Sequence, residues 1–258
     1  MLDQVQEILD AAVVDIGPRE ARWITEEAPD DATALDMARR RSRGEPLQYL
    51  LGNAHFRKIV LSVGPGVFIP RPETELLVDK ALDVLPTGGV LLDLGTGSGA
   101  IALSVASERP DARVYATEAD PGAYPWAVRN RDQLGLDVGL FEGDLFEALP
   151  EELKGTVDVV VSNPPYVSTS RRDILPIDVR EHEPERALYG GRDGMLVTTR
   201  LAEESREWLK PGGWLVLEMG AEQQQDMMTL LTGLEYDNIA IGIDLAEWPR
   251  LVVAQSPQ

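Results

Sequence analysis

The 258-residue chain contains no cysteine, which excludes disulfide frameworks, zinc knuckles and thiol nucleophiles. Cations are scarce: 24 Lys and Arg face 44 Asp and Glu, a net charge of −20. Such a surface repels phosphate backbones, because nucleic-acid affinity rests on cationic neutralisation. The expected partner is therefore a protein or a small molecule, with no direct nucleic-acid contact. The two histidines, His55 and His182, lack metal-ligand spacing, so no metal is expected and neither imidazole is assigned a catalytic role. No apolar stretch approaches membrane-spanning length, and Met1 to Glu7 carries no basic run. Neither a signal peptide nor a membrane span is expected, and the location that fits is the cytoplasm. Nothing marks an oligomer, so a monomer is the default.

Hydrophobic residues make up 43% of the chain, enough for a sizeable core in one large α/β unit with a small companion. Residues 1–52 read as a helical domain suited to docking a substrate. Val5, Ile8, Leu9, Ala12 and Val13 recur at helix spacing up to Gly17-Pro18; a second helix runs from about Pro18 to Glu27, and a third opens at Asp31 and stops at Gly44. Arg39, Arg40, Arg41 and Arg43 crowd the end of that helix, where cations favour the macrodipole; the rival reading is a docking patch for an acidic partner. Residues 53–75 read as a β-hairpin linker, with strands at Phe56 to Val60 and around Val67-Phe68 and a turn at Gly64-Pro65-Gly66. Thr74 or Glu73 is placed to cap the helix that follows.

Residues 76–258 alternate strand and helix. The strand candidates are Val90–Asp93, Arg113–Glu118, Val138–Glu142, Val157–Ser162, Trp214–Glu218, Ile239–Asp244 and Arg250–Ala254. Helical patterns separate the first five, which predicts a mostly parallel sheet covered on both faces. The short link between the last two predicts an antiparallel hairpin at the sheet edge. This is the seven-stranded layout of Rossmann-like class I methyltransferases dependent on S-adenosylmethionine.

Two segments carry chemistry. Val90 to Ala100 is a strand running into a glycine-rich turn, Gly95-Thr96-Gly97-Ser98-Gly99, and then a helix, a form that lets a ligand approach the backbone closely. Glu118 closes the next strand, where a carboxylate accepts both hydroxyls of a ribose. Gly95-x-Gly97-x-x-Ala100 also satisfies a relaxed dinucleotide fingerprint, so an NAD-binding oxidoreductase or a nucleotide-binding module stays open on these residues. Asp144, before Leu145, reads equally as an adenine contact and as a helix cap. The second segment is Asn163-Pro164-Pro165-Tyr166, directly after the buried strand Val157–Ser162. Two prolines remove two backbone donors there. The carbonyls and the Asn163 side chain remain free to accept, beside the flat face of Tyr166. A site rich in acceptors and short of donors suits a neutral NH2 group held while its nitrogen attacks.

With these segments in order, together with Gly44-Glu45-Pro46-Leu47-Gln48-Tyr49, Ile69-Pro70-Arg71-Pro72-Glu73-Thr74-Glu75, Glu183-Pro184 and Gly190-Gly191-Arg192-Asp193-Gly194, the chain resembles the release factor glutamine methyltransferase family. The resemblance implies methyl transfer from S-adenosylmethionine, leaving S-adenosylhomocysteine, to the side-chain amide nitrogen (N5) of the glutamine in the Gly-Gly-Gln loop of peptide chain release factors 1 and 2. It implies that Asn163, Pro164 and Tyr166 are catalytic and that Pro165 joins them in holding the substrate. Gly95, Thr96, Gly97, Ser98, Gly99, Glu118, Asp144, Leu145 and Asn163 would hold the cofactor. Arg71, Glu73 and Thr74 are candidates for the entrance, and Glu183 and Asp193 for the peptide site or for loop caps. The intact Pro72-Glu73-Thr74-Glu75 favours this family over its sister acting on a ribosomal protein. An adenine-N6 nucleic-acid methyltransferase uses a similar tetrad, but the acidic charge argues against it. Pro121 and Pro125 predict that the helix after Glu118 starts near Tyr124.

Overall fold

The computed structural model describes residues 1–17 and 19–258; the proline of the expected Gly17-Pro18 helix stop lies outside them. The first helices are α1 (Leu2–Leu9), α2 (Glu20–Glu27), α3 (Asp31–Ser42) and α4 (Leu47–Leu51). They bury Val5, Leu9, Ile24, Met37, Ala38 and Leu47 in a core of their own. α1 ends eight residues before Gly17, so Ala12 and Val13 are not helical as expected. The chain instead runs along the end of α3, with the Val13 amide donating to the Ser42 carbonyl at 2.9 Å. Asp30 caps α3, its Oδ1 accepting from the Thr33 amide at 2.7 Å, as an N-cap carboxylate does for an otherwise unpaired donor.

A two-stranded hairpin follows, β1 (Asn53–Phe56) and β2 (Ile59–Ser62). It departs from the sequence expectation: the turn falls at Arg57-Lys58 and Gly64-Pro65-Gly66 comes after the hairpin. Arg57 takes a positive φ of 50° without being glycine. Its amide donates to Glu75 at 3.0 Å and its guanidinium to Asp79 and Glu108, each at 2.6 Å. Side-chain pairing thus supplies what a glycine turn would otherwise provide.

The remaining elements are α5 (Glu75–Val84), β3 (Val90–Leu94), α6 (Ala100–Glu108), β4 (Arg113–Glu118), α7 (Tyr124–Leu134), β5 (Val138–Glu142), β6 (Val157–Ser162), α8 (Ile177–His182), α9 (Glu185–Leu188), α10 (Leu196–Trp208), β7 (Leu209–Glu218), α11 (Gln224–Gly233), β8 (Asp237–Ile243) and β9 (Pro249–Gln255). The seven strands β3–β9 form one sheet of order β5-β4-β3-β6-β7-β9-β8. The five on the β5 side are parallel, and β9 runs antiparallel to both β7 and β8. The expected edge hairpin is present, with β8 outermost. α7 begins at Tyr124, as the prolines predict. β3 and β6 are buried at every residue, the pattern of parallel strands covered on both faces. One core packs Leu77, Leu91, Ile101, Leu103 and Val161 on one face; the other packs Leu92, Leu94, Leu201, Trp208 and Leu215 on the opposite face. The chain winds outward from β3 to β5 and returns to the far side of β3 as β6. The carboxyl ends of β3 and β6 therefore form a switch point, where such sheets open a crevice.

Arg41, one of the four clustered arginines, is buried rather than part of a docking patch. Its guanidinium donates to Glu20 at 2.6 Å and to the Asp15 carbonyl at 3.0 Å, and lies 3.4 Å from Asp178 of α8. It thereby ties the helical unit to the sheet unit. Replacing Arg41 by Ala strands the buried Glu20 carboxylate, at a cost of about 3–5 kcal/mol. Urea unfolding of R41A against the parent is expected to show that loss, first in the helices of residues 1–52.

Candidate active site

A cavity of about 320 Å³ opens at the switch point. The loop after β3, the ends of β4 and β6, the segment Phe68–Thr74 and the start of α10 wall it. Gly95, Gly97 and Gly99 take φ values of 73°, 59° and 88°, in the left-handed region that favours glycine. At Gly95 and Gly97 an added Cβ would meet nothing within 4 Å, so bare backbone faces open space. Gly99 differs. It starts α6 packed against Leu103, where a Cβ would come within 2.7 Å, and it does not line the cavity. Asp93, completely buried, steadies the loop from below, accepting from Thr96 Oγ1 at 2.6 Å and from the Ala102 amide at 3.0 Å. Burial pushes its carboxyl up to about 7.

Glu118 ends β4 with each oxygen held once: Oε2 accepts from the Gly97 amide and Oε1 from the Asp120 amide, both at 2.8 Å. Burial raises its pKa. Each oxygen keeps a lone pair for a further donor. Asp144 makes no helix-capping bond, so the cap reading fails; its carboxylate pairs with Arg200 at 2.9 Å on the cavity wall. Beside it Leu145 is buried at a φ of 46°. That conformation is costly for a branched side chain and persists only where its surroundings enforce it.

All four residues of the Asn163–Tyr166 turn line the same cavity. Ser162 Oγ donates to the Leu94 carbonyl at 2.5 Å, tying the end of β6 to the end of β3. Asn163 Nδ2 donates to Thr74 Oγ1 at 3.2 Å. Among the described residues, Asn163 Oδ1 and the Pro164 carbonyl accept no hydrogen bond. The turn is gripped from behind by the glycine-rich loop 190–194. A Cβ on Gly190 would overlap the Pro165 carbonyl, and one on Gly194 the Tyr166 carbonyl. Gln223 Nε2 donates to that Tyr166 carbonyl at 3.2 Å.

The Phe68–Thr74 segment divides differently from expectation. Thr74 lines the cavity but does not cap α5; its hydroxyl donates to Glu218 at the end of β7, at 2.7 Å. Arg71 is turned away, paired with the buried Glu183 and stacked 4.6 Å above the Phe68 ring. Glu73 does not reach the wall. Glu183 also accepts from the Ile69 amide at 3.3 Å, so it holds the link segment and does not face the cavity. Asp193 caps its own loop through the Met195 amide at 3.0 Å. Glu218 and Gln223 escaped notice in the sequence, although an acid closing an otherwise apolar strand was the available signal for the first. Among the described residues no group of His, Asp or Glu could hold a metal ion, and no helix is long and apolar enough to cross a membrane.

The sheet order, the glycine loop and the Asn-Pro-Pro-Tyr turn in one crevice define a methyltransferase of the Rossmann-like class. The family described as Methyltransferase small domain matches residues 64–175. The chain is 41% identical over 201 residues to the release factor glutamine methyltransferase of Geobacter sulfurreducens, covering 78% of this chain and 70% of that one. It is 40% identical over 234 residues to the Streptomyces coelicolor enzyme of the same name, covering 89% and 82%. Among solved structures, a methyltransferase from Pyrococcus furiosus shares the fold, with a TM-score of 0.58 and 23% identity over 77% of this chain and 89% of that one. The chain belongs to the release factor glutamine methyltransferase family.

Gly190→Ala is expected to force the Pro165 carbonyl out of place. Overpacking of this kind costs about 1–3 kcal/mol. Thermal unfolding should register that loss, and methyl transfer should fall more steeply than stability because the displaced backbone belongs to the cavity wall.

Proposed function

We infer that this chain methylates the side-chain amide nitrogen of the glutamine in the Gly-Gly-Gln motif of peptide chain release factors 1 and 2, using S-adenosylmethionine. The observation that carries this reading is the pair of unengaged acceptors, Asn163 Oδ1 and the Pro164 carbonyl, at a turn whose two prolines supply no N–H. An NH2 group satisfies both acceptors at once, and a carboxylate satisfies neither. The other side of the cavity fits the cofactor. Bare backbone at Gly95 and Gly97 leaves room for the methionine part, Glu118 has lone pairs for ribose hydroxyls, and Asp144 with Leu145 walls the adenine end. When bound, the cofactor supplies an electrophilic methyl on a sulfonium.

An amide nitrogen is a weak nucleophile, because its lone pair is delocalised into the carbonyl. Catalysis then consists of placing it and stabilising the charge that develops on it. Asn163 Oδ1 accepts one amide N–H and the Pro164 carbonyl the other, which aims the nitrogen and offsets its growing positive charge. One of these oxygens holds the proton that the nitrogen must shed until water removes it. Tyr166 packs on the glutamine side chain or its neighbouring glycines. Residues 1–52, with their own core, are assigned to docking the release factor, and the cytoplasm, where translation runs, is the assigned location. The negative surface fits a protein partner met without direct nucleic-acid contact, by a chain acting as a monomer.

Mass spectrometry of a release factor incubated with the protein and S-adenosylmethionine tests the reading. One added methyl is expected on the parent and none on a Gln→Ala variant of the Gly-Gly-Gln motif. Methylation of both, or of neither while S-adenosylhomocysteine binds, contradicts it. Asn163→Ala is expected to lower kcat by the equivalent of about 2–4 kcal/mol, the scale of losing one preorganised polar contact to developing charge. Full turnover in a correctly folded N163A would remove Asn163 from the chemistry.

A further inference from the structure

Behind the Asn163–Tyr166 turn runs a three-membered chain that the methylation reading does not require. Asn163 Nδ2 donates to Thr74 Oγ1 at 3.2 Å, and Thr74 Oγ1 donates to Glu218 Oε2 at 2.7 Å. Both ends of the second bond are buried, with Thr74 and Glu218 each 3% exposed. The three residues come from three places in the chain: the link before α5, the turn after β6 and the end of β7. Their meeting is a product of the fold.

We propose that Thr74 and Glu218 are positioning residues that determine which end of the Asn163 amide faces the reacting nitrogen. The inference rests on the glutamine-methylation reading. An ionised carboxylate only accepts, so Glu218 commits the single hydroxyl proton of Thr74. Thr74 then offers Asn163 nothing but lone pairs. Asn163 must turn its NH2 toward Thr74 and leave Oδ1 for the substrate. Without this chain the two ends of the amide, nearly equal in shape, compete for the same space. The reversed amide would present a donor to the glutamine NH2 and lose the contact that aims it.

Protonation of Glu218 undoes the arrangement. A neutral Glu218 can donate to Thr74, whose hydroxyl proton is then free to face Asn163 Oδ1. The groups facing Glu218 are Thr74 and Glu73 from the link, Tyr166 from the turn and Arg250 from β9. Burial, opposed by the Thr74 bond, reinforced by Glu73 and opposed again by Arg250 and a Tyr166 hydrogen bond, pushes Glu218 up to about 7. Turnover therefore rises as pH passes upward through that region, as Glu218 ionises.

Steady-state kinetics on a release factor, with S-adenosylhomocysteine binding measured alongside, test the proposal. Thr74→Val keeps shape but has no hydroxyl; its kcat is expected to fall roughly 10- to 100-fold, the scale of a misplaced reacting group, with KM for the release factor and cofactor affinity little changed. Thr74→Ser restores the hydroxyl and should recover most of kcat. A purely packing role predicts the reverse, with T74V tolerated and T74S impaired, and that outcome overturns the proposal. Glu218→Gln keeps an acceptor but takes up no proton, so the acid limb of the kcat profile near pH 7 should flatten. Asp93, which titrates in the same range, is untouched by that change. An unaltered limb in E218Q also overturns the proposal, and it decides the matter if T74V does not fold. A parent protein that methylates no Gly-Gly-Gln glutamine removes the functional reading and this inference together; an active parent with T74V at parental kcat removes this inference alone.

Discussion

The site is organised around a shortage of hydrogen-bond donors at the carboxyl end of β6. Backbone that leaves a strand normally offers an N–H and a C=O at every residue. Here Pro164 and Pro165 offer only carbonyls, and Asn163 turns its side-chain NH2 toward Thr74, leaving Oδ1 free. What faces the cavity is a fixed pair of acceptors, held in place before any substrate arrives. Such preorganisation matters because the reaction offers few other handles. The nucleophile is neutral, no nearby group is basic enough to ionise it, and only placement and charge compensation remain.

The surrounding structure keeps that turn where it is. Ser162 ties it to β3, Gln223 holds the Tyr166 carbonyl, and Gly190 and Gly194 come so close behind that no side chain fits. Carboxylates at the carboxyl ends of β3, β4 and β7 do comparable work. Asp93 fastens the glycine loop to α6, Glu118 holds the amides of Gly97 and Asp120, and Glu218 fixes the Thr74 hydroxyl. Burial raises the pKa of all three. Buried acids with raised pKa values, gathered at strand ends around a crevice, are a mark of a functional site as much as of a fold.

Much of this was legible in the sequence, for identifiable reasons. Short apolar runs closed by glycine or by Asn-Pro-Pro located β3 and β6, and the edge hairpin followed from the short link between β8 and β9. The glycine loop and the Asn163–Tyr166 turn meet because both follow central strands on either side of a switch point. What stayed hidden depends on contacts between distant segments. The turn at Arg57 is made by carboxylates 18 to 51 residues away. Thr74 looked like a cap because capping is the local use of threonine before a helix, yet a buried acid 144 residues on claims its hydroxyl. Arg41 looked like part of a surface cluster, and only Glu20 and Asp178 reveal it as a buried tie.

The most direct test of the central claim is the fragmentation mass spectrum of the Gly-Gly-Gln peptide cut from a treated release factor. If paired acceptors hold the glutamine NH2, the added methyl sits on the side-chain nitrogen and the glutamine fragment loses methylamine in place of ammonia. A methyl found on any other atom, or a glutamine fragment that still loses ammonia, would contradict the account at its root.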